Sequence, residues 1–199
     1  HTGGLNTFLR NSLPGIPLYA HPDITTERYS MKDNQLHSVG MRMPRAELMQ
    51  RVTPYLSTEP CQIFPGIWTT GEITPRTEFL GSSAHHFIKS DLGLQPDPYL
   101  DDMALVLETR TGLAVICGCC HAGILNTLAH VRQVFNRQIT MLIGGAHLAS
   151  VGQAVLEHAI TVLRATSAGQ LPDLYLNHCT GEHALSTMAQ AFGEKVHPC

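Results

Sequence analysis

The most informative stretch of the sequence is Cys117-Gly-Cys-Cys-His-Ala-Gly-Ile-Leu-Asn-Thr-Leu128. A strand end, three thiols, a histidine and a helix start follow one another in it. The preceding apolar run, residues 112–117, predicts a short buried strand. From Ala122 the apolar residues recur at helical spacing as far as Phe135, which predicts a helix. His121 therefore lies in the turn between strand and helix, where open α/β sheets bind their ligands.

The same order of strand, histidine-bearing loop and helix occurs twice more in the last third of the chain. Each of these units places a histidine within a few residues of a strand end, which predicts an α/β arrangement of repeated units. The second unit is a strand over 139–143, the loop Gly144-Gly-Ala-His147 and a helix over 151–166; the third is a strand over 173–177, the loop His178-Cys-Thr-Gly181 and a helix over 182–192.

The histidines of the three units suggest a metal site. A single histidine after a strand is more often structural, and the chain has 12 histidines. If the three strands are neighbours, His121, His147 and His178 converge on one sheet edge, and converging imidazoles with an open position are typical of catalytic zinc or iron sites. Small residues around them, such as Gly118 and Gly145, allow backbone and solvent to approach a metal closely.

The rest of the chain mixes short elements with polar loops. His21 follows the strand predicted over 16–20, which makes a fourth, weaker unit of the same kind. Residues 24–40 are polar and aperiodic, so we interpret them as a substrate-side loop or an ordinary surface loop. The other predicted elements are a loop and short helix over 1–10, a strand over 16–20, a helix over 44–52 stopped by Thr53-Pro54, two strands within 62–73, a loop or paired edge strands over 75–102, and a hairpin of 103–109 with 113–117.

Composition limits the class of protein. A chain of 199 residues with 43% hydrophobic content predicts a single domain over residues 1–199. The formal net charge of -3 argues against a nucleic-acid partner, and no apolar run approaches the roughly 18 residues of a membrane span. We interpret the six cysteines as reduced thiols, since their spacing is not that of a secreted disulfide scaffold. These features together predict a soluble, cytoplasmic protein with a small-molecule substrate.

The sequence resembles the metallo-β-lactamase superfamily, and within it the branch of 7,8-dihydropterin-6-methyl-4-(β-D-ribofuranosyl)aminobenzene-5'-phosphate synthase. Four motifs carry the resemblance, in the family's order and spacing. They are His1-Thr-Gly-Gly, like the end of His-x-His-x-Asp-His-Thr-Gly-Gly; Gly118-Cys-Cys-His-Ala-Gly123, like Gly-Cys-Ser-His-x-Gly; Gly144-Gly-Ala-His-Leu148; and His178-Cys-Thr-Gly181. Cys120 departs from the family, which usually has serine there, so the hydrogen bonding of this loop is expected to differ.

The resemblance implies an αββα fold and an active site with two divalent metal ions, zinc with iron or manganese as alternatives. It implies that His121 is a ligand of the first metal and that His1 and His178 are ligands of the second. His147 is assigned as a catalytic group that faces the substrate, with direct ligation as the alternative. His21 and Gly123 are assigned to substrate binding, Gly123 through the helix N-terminus that follows His121; the alternative for His21 is a plain turn histidine.

The resemblance also implies that the first half of the complete fold, with His-x-His-x-Asp, precedes residue 1. The 199 residues are then the C-terminal portion of a single metallo-β-lactamase-like domain. On that expectation the first metal keeps only His121, and the second keeps His1 and His178. We therefore expect weak or no dinuclear metal loading for this chain alone.

The reaction implied by the resemblance joins a dihydropterin methyl pyrophosphate to an aminobenzene ribotide, with pyrophosphate leaving. The substrate would be a small molecule that carries phosphate or pyrophosphate. Two alternatives remain open at this point: a metal-dependent hydrolase of a phosphodiester or lactone, and a non-catalytic binding or structural protein. The sequence predicts neither the metal's identity nor the oligomeric state.

Overall fold

The structure is a computed structural model in which residues 3–167 and 169–199 are described. The chain divides into two compact units. The small unit consists of His1–Thr58 with Ser83–Asp101, and the large unit consists of Glu59–Ser82 with Asp102–Cys199. That residues 1–199 form one domain stays a prediction.

The helices and strands of the described residues follow one another in a mixed α/β order. The helices are α1 Leu5–Arg10, α2 Arg45–Arg51, α3 Ile124–Phe135, α4 Gln153–Thr166 and α5 Glu182–Phe192. The strands are β1 Ile16–Ala20, β2 Arg28–Lys32, β3 Gln35–Ser38, β4 Val52–Leu56, β5 Cys61–Phe64, β6 Ile67–Thr69, β7 His86–Ser90, β8 Gly93–Pro96, β9 Ala104–Glu108, β10 Leu113–Cys117, β11 Ile139–Gly144, β12 Asp173–Leu176 and β13 Val196–Pro198. Short 3-10 turns occupy His178–Thr180 and Gly193–Lys195.

The large unit is built on a seven-stranded sheet with the order β13-β12-β11-β10-β9-β6-β5. The four strands from β10 to β13 run parallel to one another, whereas β9 is antiparallel to both β10 and β6. Crossovers between neighbouring parallel strands are right-handed, so the intervening helices α3, α4 and α5 cover one face. Val115, Leu142 and Leu174 on adjacent strands are fully buried in the core that these helices complete. Each such side chain stabilises the fold by roughly 2 kcal/mol.

The three strand-loop-helix units and the hairpin that precedes them are therefore confirmed. The predicted metal site required the three strands before His121, His147 and His178 to be neighbours. They are, because β10, β11 and β12 are adjacent and run in the same direction. Their carboxyl ends, and the loops that follow them, lie at one edge of the sheet.

The small unit contains a parallel pair, β1 with β4, and a four-stranded antiparallel sheet with the order β3-β2-β7-β8. The expectation that residues 24–40 form a loop is wrong, because β2 and β3 lie there as a hairpin. Asp33 and Asn34 form its two-residue turn with φ values of 50° and 57°, which is the conformation of a type I′ turn. All four residues of β3 are exposed, so no apolar alternation indicated the strand.

Three further segments differ from, or refine, the expectation. Thr53-Pro54 does not merely stop a helix, since both residues lie in β4; Pro54 is tolerated because β4 pairs on only one side in the described structure. Of the two alternatives for residues 75–102, the paired strands are correct, as β7 and β8. β13 was not predicted.

An ionic cluster stabilises the small unit. The Arg28 guanidinium donates to Asp97 Oδ2 at 2.9 Å and to Asp101 Oδ1 at 2.6 Å. The backbone N–H of Tyr99 donates to Asp97 Oδ1 at 2.8 Å, and the Tyr99 hydroxyl hydrogen-bonds His86 Nδ1 at 2.7 Å. Burial raises the pKa of Asp101, and the charge of Arg28 opposes that shift. The cluster therefore links β2 to the segment after β8.

Among the described residues, every helix is too short or too polar to cross a membrane.

Candidate active site

His121 lies in the β10–α3 loop and is held by a backbone carbonyl. Its Nδ1 is 3.1 Å from the carbonyl oxygen of Gly81. Because a carbonyl oxygen can only accept a hydrogen bond, Nδ1 carries the proton in the neutral imidazole, and the lone pair resides on Nε2. This is the arrangement that orients metal-binding histidines in proteins.

The contact between Gly81 and the histidine loop requires glycine. Gly81 has a φ of +88°, and a Cβ there would lie 2.6 Å from backbone atoms of Cys120, His121 and Gly123. Gly123 has a φ of +87°, and its Cβ would lie 2.4 Å from the carbonyl oxygen of Leu80. The two backbones thus pack directly on each other, which fixes the position of His121.

Asn126, buried in the first turn of α3, holds the chain that leads to Gly81. Its side-chain oxygen accepts hydrogen bonds from the backbone N–H groups of Thr77 and Glu78 at 3.1 and 3.0 Å. Its amide nitrogen donates to the carbonyls of Glu78 and Ala122 at 2.8 and 2.7 Å. One side chain therefore joins segment 77–81 to the histidine loop.

His147 follows β11 and lies beside His121. The centroids of the two imidazole rings are 4.2 Å apart, and the ring planes are inclined by 49°. The preceding glycines let the loops approach, since a Cβ on Gly144 would lie 2.3 Å from the Cys117 carbonyl oxygen. The Gly145 N–H donates to the Gly118 carbonyl at 2.8 Å. The first two strand-histidine units therefore converge as predicted.

The third unit is tied to the second through the turn after β12. The Leu148 and Ala149 N–H groups both donate to the Cys179 carbonyl at 3.0 Å. The Ala146 N–H donates to Thr180 Oγ1 at 3.1 Å. His178 begins this 3-10 turn and is exposed, so the structure places it on the loop adjoining that of His147.

Three residues of these loops adopt a left-handed backbone although they are not glycine. The φ values are 58° for Cys120, 49° for His147 and 49° for His178. Each such residue costs roughly 1–2 kcal/mol, and conformations of this kind cluster at functional sites. The tight packing of the loops offsets this cost.

Asp102 also lies at the sheet edge that carries His121, and the sequence analysis did not predict it. Its Oδ2 accepts a hydrogen bond from the Ala122 N–H at 2.7 Å, next to His121. The signal was present in the predicted hairpin: β9 is antiparallel to β10 and Ala104 pairs with Cys117, so the residues before β9 must lie beside the loop after β10. Asp102 brings a negative charge to the start of this loop.

The cysteines of this edge are free thiols, as predicted. A hydrogen bond to the Cys117 side chain and burial raise the pKa of the Cys120 thiol well above its ordinary value, and Cys120 also contacts Thr127 Oγ1 at 3.4 Å. Burial and the neighbouring Cys179 raise the pKa of Cys119 to about 11. Both groups are protonated thiols at neutral pH.

Comparison with known proteins identifies the fold. No protein-family model matches the chain. The crystal structure of a metal-dependent hydrolase of the β-lactamase superfamily aligns with 91% of this chain and 67% of its own, with a TM-score of 0.75 and 22% sequence identity. The chain has the fold of the β-lactamase superfamily.

A curated relative agrees with the predicted branch. The 7,8-dihydropterin-6-methyl-4-(β-D-ribofuranosyl)-aminobenzene-5'-phosphate synthase of Methanocaldococcus jannaschii is 25% identical over 200 residues, which cover 98% of this chain and 67% of the synthase. The chain is thus a metallo-β-lactamase-fold protein related to that synthase, and it spans about two thirds of the length of both relatives. The predicted fold and relationship are confirmed.

The other predicted site residues are His1, His21 and Gly123. His1 is outside the described residues. Gly123 is the N-cap residue of α3, and its part in substrate binding stays a prediction. His21 lies in the small unit, is buried, and accepts a hydrogen bond at Nδ1 from the Asp23 N–H at 3.1 Å. This is a turn at the end of β1; its part in substrate binding stays a prediction.

The metal that this fold implies can be tested against the donors present. In residues 3–167 and 169–199 no group of three or more histidine, cysteine, aspartate or glutamate side chains is placed to hold a metal ion. The chemistry of His121 fits a ligand, because its Nδ1 is oriented by a carbonyl. The described residues therefore include side chains of the type that binds metal ions. They do not include enough of them in one place to form a complete metal site.

Proposed function

We propose that this chain contributes one wall of the active site of a metal-dependent enzyme that acts on a small molecule carrying phosphate or pyrophosphate. The reaction proposed is that of the related synthase, condensation of a dihydropterin with an aminobenzene ribotide. One observation carries the proposal. The ring of His121, oriented by the Gly81 carbonyl, has its centroid 4.2 Å from that of the His147 ring, at the carboxyl edge of parallel strands.

The position of this pair favours an enzyme site over a structural role. Ligands of open α/β sheets bind beyond the carboxyl ends of the strands, and both histidines are there. His130 in α3 shows what a structural histidine looks like in the same unit. It is buried, and its ring nitrogens lie 2.8 and 3.1 Å from the carbonyl oxygens of Thr74 and Thr70. His121 and His147 are only partly buried, as groups that meet a substrate must be.

The proposed metal ligands are His121, through Nε2, together with His178 and His1. When bound, divalent metal ions lower the pKa of an oxygen nucleophile and neutralise phosphate charge; zinc, iron and manganese are all compatible with imidazole. The proposed number of ions is two in the complete enzyme.

The other proposed roles belong to the protein itself. His147, beside His121, is proposed to face the substrate and to donate or accept a proton there, because imidazole titrates near neutral pH. Gly123 precedes α3, whose N-terminus offers backbone N–H groups to an anion. Asp102 fixes the Ala122 N–H and so orients the loop.

The proposal is tested by assay of the chain with manganese or zinc in large excess, because the metal is expected to bind weakly. We expect pyrophosphate release when a dihydropterin methyl pyrophosphate and an aminobenzene ribotide are supplied together, and loss of that release in His121→Ala. The matched control is His37→Ala, an exposed histidine of β3 in the small unit, which should keep the wild-type rate.

Two results would contradict the proposal. One is turnover that is equal in wild type and His121→Ala. The other is hydrolysis of a chromogenic phosphodiester with no condensation of the pterin substrates, which would assign the site to a hydrolase instead.

A further inference from the structure

We propose that Cys119 and Cys179 form a site of reversible disulfide modification that joins the β10–α3 loop to the turn after β12. This inference does not depend on the proposed enzyme activity. It arises from the packing of two thiols that come from different strand-end loops.

The two cysteines lie in direct contact. The Cys179 Sγ is 3.4 Å from the carbonyl oxygen of Cys119. The glycine between them allows this approach, since a Cβ on Gly145 would lie 2.4 Å from Cys179 Sγ and 3.3 Å from Cys119 Cα. A disulfide requires two sulfurs about 2 Å apart, and the Cys179 sulfur already lies against the backbone of Cys119.

The loops that carry the pair are otherwise well fixed. The Cys179 carbonyl accepts two N–H groups of the β11–α4 loop, and the Gly145 N–H is bonded to the Gly118 carbonyl next to Cys119. The two thiols are thus held near each other by backbone contacts on both sides. This raises their effective concentration relative to two thiols on mobile segments.

The other cysteines are less suited to this modification. Cys120 hydrogen-bonds the side chain of Cys117, but it is only 1% exposed, so an oxidant does not reach it. Cys199 is exposed, and its contact is with Asn177 Nδ2 at 3.7 Å. Cys61 lies in β5, where its thiol faces its neighbouring carbonyl of Gln62. Cys119 and Cys179 are both partly buried and therefore reachable.

The chemistry balances with a low-molecular-weight disulfide such as glutathione disulfide as the oxidant. One cysteine sulfur loses its proton to solvent and attacks a glutathione sulfur, forming a mixed disulfide and releasing one glutathione thiol. The second cysteine then attacks the protein sulfur of the mixed disulfide, which forms the Cys119–Cys179 bond and releases the second glutathione. The two protein thiols lose two electrons and two protons, and the glutathione disulfide gains both.

The bond would link the loop of His121 to the turn that begins at His178. Cys119 precedes His121 by two positions, and Cys179 follows His178 directly. The modification would therefore tether two loops of the candidate site through a covalent bond that a reductant reverses.

The test is peptide mapping of the whole chain after exposure to glutathione disulfide. Cleavage at arginine and lysine places Cys117, Cys119 and Cys120 in one peptide, Cys179 in a second and Cys199 in a third. We expect a cross-link between the first two peptides in most molecules and its loss on reduction. Cys119→Ser and Cys179→Ser should each abolish it, whereas Cys117→Ser and Cys61→Ser should leave it unchanged.

Other outcomes would overturn the inference. These are a disulfide confined to the Cys117–Cys120 peptide, a cross-link that persists in Cys119→Ser, and glutathione attached to Cys199 with no cross-link. Because the wild-type chain alone gives this answer, a variant that fails to fold does not remove the test. Metal binding and turnover play no part in the readout, so the failure of this inference and that of the proposed function are distinguishable.

Discussion

The imidazole rings of His121 and His147 lie 4.2 Å apart, although the two residues follow different strands. The neighbouring parallel strands β10 and β11 bring them to one sheet edge. The carbonyl of Gly81 sets the tautomer and orientation of His121. The candidate site thus depends on packing between backbones as much as on the histidines.

Gly81→Ala should damage both stability and the site. The added Cβ would lie 2.6 Å from three backbone atoms of the histidine loop, so the loop must shift in addition to the strain of φ +88°. We expect a loss of roughly 3 kcal/mol in the free energy of unfolding, measured by urea denaturation, and weaker metal binding.

The matched control is Gly93→Ala. Gly93 has a similar φ of +95°, but a Cβ there would contact nothing within 4 Å. It should cost only the roughly 1–2 kcal/mol of the left-handed backbone. Equal losses for the two variants would mean that the contact of Gly81 with the loop is unimportant.

Asn126→Ala should loosen the segment that carries Gly81. The substitution leaves the Thr77 and Glu78 N–H groups without the side-chain oxygen that accepts them. Unpaired buried donors cost about 1–3 kcal/mol each, so we expect destabilisation of about 3 kcal/mol and faster hydrogen exchange at Thr77 and Glu78. Gln133→Ala, at an exposed position of the same helix, should change neither; protection of Thr77 and Glu78 that survives Asn126→Ala would refute the assignment.

The small unit should lose stability at alkaline pH. Burial raises the pKa of the Tyr99 hydroxyl well above 10, the charge of Asp97 raises it further, and Ser83 and Arg28 oppose the shift. The folded pKa is above the unfolded value, so this contribution to stability is complete below about pH 10 and is lost as pH rises further. We expect the free energy of unfolding, followed by circular dichroism, to fall by up to about 1.4 kcal/mol per pH unit from this group.

Tyr99→Phe isolates the effect. It removes the ionisable hydroxyl and the hydrogen bond to His86, so the variant should be less stable at pH 7 but should decline less steeply above pH 10. Parallel pH profiles for the two proteins would show that Tyr99 is not the titrating group.

The part of the fold that was predicted is the part with local signals. The apolar run before Cys117 and the helical spacing after Ala122 are features of neighbouring residues, and they located β10 and α3 correctly. The hairpin at Asp33-Asn34 escaped prediction because β3 is exposed along its whole length. Its signal was the pair of turn residues, which tolerate a positive φ.

Only the part of the site that follows from the order of strands and loops along the chain was predicted. The repeated loops indicated that His121 and His147 meet, since parallel neighbours end at one edge. The contact of Gly81 with His121 joins residues 40 positions apart, and no periodicity in the sequence reports it. Asp102 could have been found from the register of the predicted hairpin. The structure brings His121 and His147 together, but the roles of all the predicted site residues remain predictions: His1, His21, His121, Gly123, His147 and His178.

His121 is proposed above as a metal ligand at this sheet edge. The most direct measurement is titration of the chain with cobalt(II), followed by its visible absorption, for wild type, His121→Ala and His37→Ala. Since the described residues lack a group of three donors, we predict weak binding by wild type, at least ~10-fold weaker binding by His121→Ala, and no change in His37→Ala. Equal cobalt affinity in wild type and His121→Ala would show that His121 is not a ligand, and two tightly held ions per chain would contradict the expected incomplete site.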